Sequence, residues 1–80
     1  MADKEILKRV VDVTARVLGL DPNEIKPGDN FVFDLGAESS QSVELVMSFE
    51  AEFDIEMDQE KALAVQSVED AAAFIATHLK

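Results

Sequence analysis

The chain has 80 residues, which is enough for a single domain over residues 1–80 that buries only about 60% of the surface of its unfolded form. Its 17 Asp and Glu residues against seven Lys and Arg residues give a net charge of −10, which argues against nucleic acid and anionic membranes as ligands and favours basic protein partners. Because the sequence contains no cysteine, it has no disulfides and no cysteine nucleophile, and any thiol must belong to an attached group.

The first predicted element is a helix that begins after Asp3, a suitable N-cap residue, and ends near Leu18. Gly19 suits the position that follows the C-cap of this helix. The apolar residues that share one face, and are expected to face the core, are Ile6, Val10, Val13 and Val17.

A long loop follows the first helix. One helical turn is expected inside it at residues 21–24, where Asp21 can cap, Pro22 suits the first turn, and Glu24 is the acid of that turn. Pro27 and Gly28 end this turn. Further along, four residues are too apolar for a loop in water and are expected to pin the connection across the helix ends, namely Phe31, Val32, Phe33 and Leu35.

The second long helix is predicted from about Ser39 to Phe53. Its core stripe consists of Leu45, Phe49 and Phe53, at fourth-residue spacing. Val43 and Met47 lie on a different face of this helix, in a stripe that descends from Ser39.

Two shorter helices complete the chain. Asp58 can cap a short third helix near Gln59 to Ala64, and Ser67 can cap a last helix that ends near Leu79. The predicted core positions of the last helix are Val68, Ala72, Ile75 and Leu79. Strand signals are nearly absent, so we expect an all-α four-helix bundle with a long loop between helices 1 and 2 and a short third helix.

Three serines, Ser39, Ser40 and Ser42, stand where the loop turns into the second helix. A serine at a helix start usually acts as an N-cap, and composition alone does not choose among the three hydroxyls. The same position also suits a phosphate ester, because the helix N-terminus offers unpaired N–H groups and the positive end of the macrodipole.

The segment Asp34-Leu35-Gly36-Ala37-Glu38-Ser39, followed by Val43-Glu44-Leu45-Val46-Met47, resembles the acyl carrier proteins, whose hallmark is Asp-Leu-Gly-Ala-Asp-Ser-Leu. The resemblance extends from Ile6 to about Ile75. It implies a protein that is not an enzyme but carries acyl intermediates as thioesters on 4′-phosphopantetheine, in fatty acid, polyketide or specialised lipid biosynthesis. The register of the motif places the attachment at Ser39.

Residues 34 to 60 contain nine acidic residues and no basic one. In acyl carrier proteins the corresponding acidic helix docks on basic patches of successive enzymes, so the resemblance implies a phosphopantetheinyl transferase and acyl-processing synthases and transferases as partners of a monomer. The expected interface residues are Glu38, Val43, Glu44, Met47, Ala51 and Met57.

The resemblance also implies an apolar space between the helices that shelters the acyl chain from water. The residues expected to line it are Leu45, Val46, Phe49, Val65, Ala71, Ala72 and Ile75. Ordinary core packing is an equally good interpretation of the same residues.

Several positions depart from the family pattern. Ser40 and Gln41 replace the usual Leu and Asp, and Asp58 replaces Pro. Leu63, four residues before Ser67, lacks the charge expected at that position. Together these departures indicate a specialised carrier. Two alternatives remain, an unmodified acidic adaptor and a small serine hydrolase, although His78 near the terminus is a poor candidate for a catalytic base.

No metal site is expected, because Gln59 and Val65 occupy the two critical positions of a calcium loop that would start at Asp54. The sequence also contains neither a secretory signal, nor a transit peptide, nor a run of about 18 apolar residues, so we expect a cytoplasmic protein without membrane insertion.

Overall fold

The computed structural model describes residues 4–79 and confirms the all-α prediction. Within these residues, the only β pairing is an isolated antiparallel bridge between Asn30 and Ser67. The helices, in chain order, are α1 (Lys4–Leu18), a short 3₁₀ helix (Pro22–Glu24), α2 (Ser39–Phe53), α3 (Gln59–Ala64) and α4 (Val68–Ala76). The predicted N-cap of α1, Asp3, lies outside the described residues.

Local capping sets most of these boundaries. Asp21 accepts a hydrogen bond from the N–H of Asn23, Asp58 from that of Lys61, and Ser67 from that of Asp70. Each bond satisfies an N–H group that the first helical turn would otherwise leave unpaired. The predicted caps of the 3₁₀ helix, α3 and α4 are therefore confirmed.

The end of α4 differs from the prediction. The helix ends at Ala76, and the Thr77 hydroxyl donates to the carbonyl oxygen of Phe74 at 2.6 Å. Leu79 follows two turn residues and is 37% exposed, so its assignment to the core was wrong. A core position on a helical face requires that the helix continue to that residue, which it does not do here.

The core lies where α1 packs against α2 and α4, while α3 contacts α2. Val10 and Val13 of α1 are buried as predicted, and Ile6 and Val17 are half-buried. The buried Thr14 hydroxyl donates to the carbonyl oxygen of Val10 at 2.8 Å, so the core holds a polar group that is satisfied. The residues of α2 and α4 that complete the core are Leu45, Val46, Phe49, Phe53, Val68, Ala71, Ala72 and Ile75.

The loop before α2 is packed only in part. Phe31 is buried and its N–H donates to the carbonyl oxygen of Gln66 at 2.9 Å, and Leu35 is half-buried. Val32 is 52% exposed and Phe33 is 85% exposed, so the prediction that these two pin the loop was wrong.

The physical reason lies in the backbone of this loop. The N–H of Asp34 donates to the carbonyl oxygen of Asn30, and that of Gly36 donates to Val32, so the segment turns as a helix does. In such a turn residues four apart share a face. Phe31 and Leu35 therefore face the bundle together, and the residues between them do not.

A long-range contact that the sequence did not reveal joins α1 to the end of α2. The Arg9 side chain donates from Nε to Glu52 Oε2 at 3.0 Å and from a terminal nitrogen to the Glu52 carbonyl oxygen at 2.8 Å. Its guanidinium carbon also lies 4.4 Å from the ring centroid of Phe53. A cation at a helix C-terminus complements the negative end of the helix dipole, so Arg9 holds the two helices together.

Candidate functional site

The first turn of α2 is closed by a capping box that begins one residue before the serines. Glu38 is the N-cap, and its backbone N–H donates to Gln41 Oε1 at 3.0 Å. Ser39 is therefore the first residue of the helix and not its cap. Gln41 departs from the family motif but has a structural role here as the third helical residue of the capping box. An acid followed three residues later by Gln is a sequence pattern that can indicate such a box.

The loop presents this turn in a fixed position. Gly36 has a φ of 74°, a left-handed conformation that glycine adopts without strain. The next residue, Ala37, is buried and donates its N–H to the carbonyl oxygen of Phe31 at 2.8 Å. Because Ala37 is anchored to the core side of the loop, the residues that start α2 are held at the surface.

The three serines differ in exposure. Ser39 and Ser40 are exposed, whereas Ser42 is half-buried. Within residues 4–79, no protein group forms a hydrogen bond with any of the three hydroxyls. The Ser39 hydroxyl is thus accessible and unpaired at the N-terminus of a 15-residue helix, and a phosphodiester fits there because that end carries partial positive charge.

A stripe of side chains descends from Ser39 along α2 at fourth-residue spacing, comprising Val43, Met47 and Ala51. Met47 is 58% exposed, Ala51 is exposed, and Val43 is half-buried. Glu44 beside this stripe is exposed as well. The structure therefore brings an apolar strip and an acidic residue together on the surface below the serine.

Met57 was wrongly assigned to this surface. It is 8% exposed, and its N–H donates to Glu50 Oε2 at 2.8 Å. The chain reverses after α2 because Asp54 has a left-handed conformation with a φ of 54°. This reversal turns Met57 into the bundle, where it cannot meet a partner.

Several acids of the segment from residue 34 to 60 have internal partners. Glu50 accepts the bond from Met57, Glu52 pairs with Arg9, and Asp34 accepts a hydrogen bond from the N–H of Asn30 at 2.7 Å. Some acids of this segment therefore stabilise the fold through hydrogen bonds or an ion pair, and these are less available to a partner protein. The exposed acids of this segment whose side chains have no protein partner among residues 4–79 are Glu44, Asp54, Glu56 and Glu60.

A cavity of about 240 Å³ lies between the loop before α2 and the helices α2, α3 and α4. Of the seven predicted pocket residues, six line it, namely Leu45, Val46, Phe49, Val65, Ala71 and Ile75. Ala72 is fully buried but does not line the cavity. Ala72 is about 100° further around α4 than Ala71, and it belongs to the buried core of the bundle.

Sequence reasoning missed much of the cavity wall. The exposed residues that line its opening are Val32, Phe33, Leu63 and Gln66. The half-buried ones are Asn30, Ser42, Ala62 and Phe74, and the buried ones are Phe31 and Met57. The unusual apolarity of residues 31–33 was the available signal. All three residues line the cavity, and of these Phe31 is also buried.

His78 is engaged locally. Its Nδ1 lies 3.0 Å from the carbonyl oxygen of Phe74 and 3.2 Å from the Thr77 hydroxyl. Its ring meets that of Phe74 edge-on, with 4.9 Å between the ring centroids.

Across residues 4–79, no three His, Asp or Glu side chains are grouped so that they could hold a metal ion. No helix in this part of the chain is long and apolar enough to cross a membrane.

Two comparisons with known proteins bear on this site. Residues 8–75 match the protein family described as "Phosphopantetheine attachment site". The sequence is also similar to the acyl carrier protein of Clostridium acetobutylicum, with 47% identity over 73 residues. That match covers 91% of this chain and 95% of the Clostridium protein, so the similarity extends over both molecules and is not confined to the serine motif.

Proposed function

The chain belongs to the acyl carrier protein family, and we propose that Ser39 is the residue that carries its 4′-phosphopantetheine. Proteins of this family carry acyl groups and do not transform them. The thiol of the phosphopantetheine forms the acyl thioester, which supplies the chemistry that a chain without cysteine lacks. The protein's own residues hold the arm, present it to enzymes and shelter the acyl chain.

The observation that carries this proposal is the position of the Ser39 hydroxyl. It is exposed, it has no hydrogen-bond partner among residues 4–79, and it stands at the first position of α2. A transferase can therefore reach it without unfolding the helix. The unpaired N–H groups of the first turn stabilise the negative charge of the phosphodiester.

The other two serines are weaker candidates. Ser42 is half-buried and lines the cavity, so an enzyme reaches it less easily. Ser40 is exposed, and only register separates it from Ser39, which directly follows an acid and precedes Val43 by four residues. Register is the reason for the choice of Ser39.

We propose that partner enzymes dock on the surface formed by Glu38, Val43, Glu44, Met47 and Ala51, which we call the docking stripe. Its exposed acids attract Arg and Lys patches and raise the rate of encounter, and its apolar side chains give short-range contact. Since the stripe descends from Ser39, an enzyme bound to it also faces the arm. A phosphopantetheinyl transferase and acyl-processing synthases are the partners that this arrangement suits.

The cavity supports the second half of the proposal. Its buried wall includes Leu45, Phe49 and Ile75. The first residue of α2 that lines the cavity is Ser42, about one helical turn after Ser39. An acyl chain on a flexible arm at Ser39 can therefore enter it. Burial of the chain between the helices keeps water from the thioester.

The test uses the full-length protein, a phosphopantetheinyl transferase and coenzyme A, with the intact mass as the readout. Wild type, Ser40→Ala and Ser42→Ala should each gain one phosphopantetheine, and Ser39→Ala should gain none. The two neighbouring variants are matched controls, because they also remove a hydroxyl from the first turns of α2. Modification of Ser39→Ala, or loss of modification in Ser40→Ala alone, would contradict the assignment.

A further inference from the structure

Three large apolar side chains that the fold leaves exposed lie together at the surface. They are Val32, Phe33 and Leu63, which line the same opening between the loop before α2 and α3, and we call them the apolar patch. The other exposed large apolar residues among residues 4–79, Met47 and Leu79, do not line this opening. A group of exposed apolar side chains, unlike a single one, indicates a contact surface.

Phe33 is the most exposed member of the apolar patch, at 85%. The other four phenylalanines of the chain are buried or half-buried in the bundle. Phe33 therefore contributes little to folding, although an aromatic side chain is among the largest apolar groups that a protein can bury. Aromatic residues that enter a pocket of a partner often supply most of the binding energy of an interface.

The backbone below Phe33 is held in place by the side chain of Asn30. The Asn30 Oδ1 accepts hydrogen bonds from the N–H groups of Val32 and Phe33, each at 2.9 Å. Asn30 is itself anchored, because it forms the isolated bridge with Ser67 and its N–H donates to Asp34. A partner that binds Phe33 thus has little loop ordering to impose, which lowers the entropic cost of binding.

The charges beside the apolar patch limit what can cover it. Asp34 directly follows Phe33, and Glu60 lies three residues before Leu63 on the same side of α3, and both acids are exposed. Lys61 is about 200° around α3 from Leu63, on another face. With a net charge of −10, the protein repels a second copy of itself and anionic membranes. A protein surface with Arg or Lys around an apolar pocket complements both the patch and its acids.

We propose that the apolar patch is a contact site for partner enzymes, in which Phe33 enters an apolar pocket whose rim carries Arg or Lys. This inference rests on the proposed function, since it names a feature of the enzymes that the carrier meets. Ser42 lines the same opening, next to Val43 of the docking stripe and about one turn after Ser39. An enzyme that acts at Ser39 can therefore reach the patch, and enzymes without a pocket for Phe33 bind less tightly.

The experiment uses isotope-labelled full-length protein and a helical peptide of about 14 residues, with leucine on one face and lysine on the other, as the probe. In NMR spectra the peptide should shift the amide signals of Val32, Phe33 and Leu63. Phe33→Ser should raise the Kd fitted to the Val32 and Leu63 signals about tenfold. Its Tm should stay close to wild type, because Phe33 is exposed. The same peptide with glutamate in place of lysine should not bind.

Two further variants test the location of the contact. Leu63→Ser removes the part of the apolar patch that belongs to α3 and should also weaken binding. Leu79→Ser is the matched control, because it removes an exposed leucine outside the patch and should leave the Kd unchanged. Equal Kd values for wild type and Phe33→Ser would overturn the proposal. Shifts confined to the docking stripe, or equal binding of the glutamate peptide, would overturn it as well.

The other occupants give different results. A dimer in analytical ultracentrifugation that Phe33→Ser dissociates would contradict a basic enzyme as the occupant. Binding to phosphatidylglycerol vesicles that Phe33→Ser abolishes would contradict it too.

Failure of this inference can be distinguished from failure of the proposed function, because the probe does not need the arm. Ser39→Ala should bind the peptide with the Kd of wild type. Loading of Ser39 together with no peptide binding at the apolar patch would remove this inference and leave the attachment site standing. Peptide binding at the patch of a protein that accepts no phosphopantetheine would remove the attachment site alone.

Discussion

Replacement by alanine should destabilise the protein at Met57 and leave its stability nearly unchanged at Met47. Met57 is 8% exposed and lines the cavity, whereas Met47 is 58% exposed and lies on the docking stripe. Replacing a buried Met by Ala costs about 2–5 kcal/mol, and the lower end applies where the new space merely extends an existing cavity. For Met57→Ala we therefore expect a loss of about 2 kcal/mol in the free energy of unfolding.

That loss is large for a domain of this size. At about 0.05–0.15 kcal/mol per residue, the whole domain has about 4–12 kcal/mol of stability. Since 1 kcal/mol shifts the Tm of a small domain by about 4–8 °C, Met57→Ala should lower Tm by about 8–16 °C. Met47→Ala should change stability by no more than about 0.5 kcal/mol, because more than half of Met47 is exposed to solvent.

The assay compares thermal and urea unfolding of wild type, Met47→Ala and Met57→Ala, with Met57→Leu as the control that preserves apolar volume. Met57→Leu should stay close to wild type, because volume-conserving swaps usually cost less than about 1.5 kcal/mol. The refuting result is a Met47→Ala protein that melts as low as Met57→Ala. Met47 would then be a core residue, and the docking stripe would lose its apolar centre.

The remaining predictions concern charge and recognition. Glu44→Lys should slow acyl transfer from a synthase without changing Tm, and the difference in rate from wild type should shrink as salt screens the charges. Stopped-flow kinetics at two ionic strengths measure the two rates. An equal loss of rate at both ionic strengths would contradict electrostatic steering. Because the net charge of −10 makes the folded chain repel itself, Tm should fall at low ionic strength and recover in millimolar Mg²⁺. A Tm that neither condition changes would contradict the idea that charge repulsion destabilises the fold. The double change Ser40→Leu with Gln41→Asp should raise the kcat/KM of modification by a fatty-acid-type phosphopantetheinyl transferase about tenfold, and equal values would mean that recognition lies elsewhere.

Local signals in the sequence were enough to predict the helices. The bounds of α2 and α3 and the start of α4 agree with the prediction. Asp58 and Ser67 could be recognised as the caps of α3 and α4 because a cap acts within a few residues of itself. The capping box at the start of α2 is equally local, but its N-cap is Glu38. With Ser39 taken as the N-cap, Gln41 is not at the third helical position and its capping role is missed. Gln41 was therefore noted only as a departure from the family motif.

Tertiary packing decided what the sequence did not reveal. Arg9 and Glu52 are 43 positions apart, and nothing in the sequence near either residue indicates their ion pair. Met57 was wrongly assigned to the interface because its orientation depends on the left-handed conformation of Asp54. Asp tolerates this conformation, but its presence in a sequence does not predict it. The exposure of Phe33 likewise follows from the turn at residues 30–36 and not from its own apolarity.

The attachment of the arm to Ser39 is the central claim, and peptide mapping of the wild-type protein tests it most directly. The protein is modified with coenzyme A and a phosphopantetheinyl transferase and then cleaved with trypsin, which does not cut the Lys26–Pro27 bond. The resulting peptide, residues 17–61, is fragmented by tandem mass spectrometry. Fragments should place the phosphopantetheine on Ser39, with Ser40 and Ser42 unmodified. A fragment series that places it on Ser40 or Ser42, or an unmodified peptide after trials with several transferases, would contradict the account.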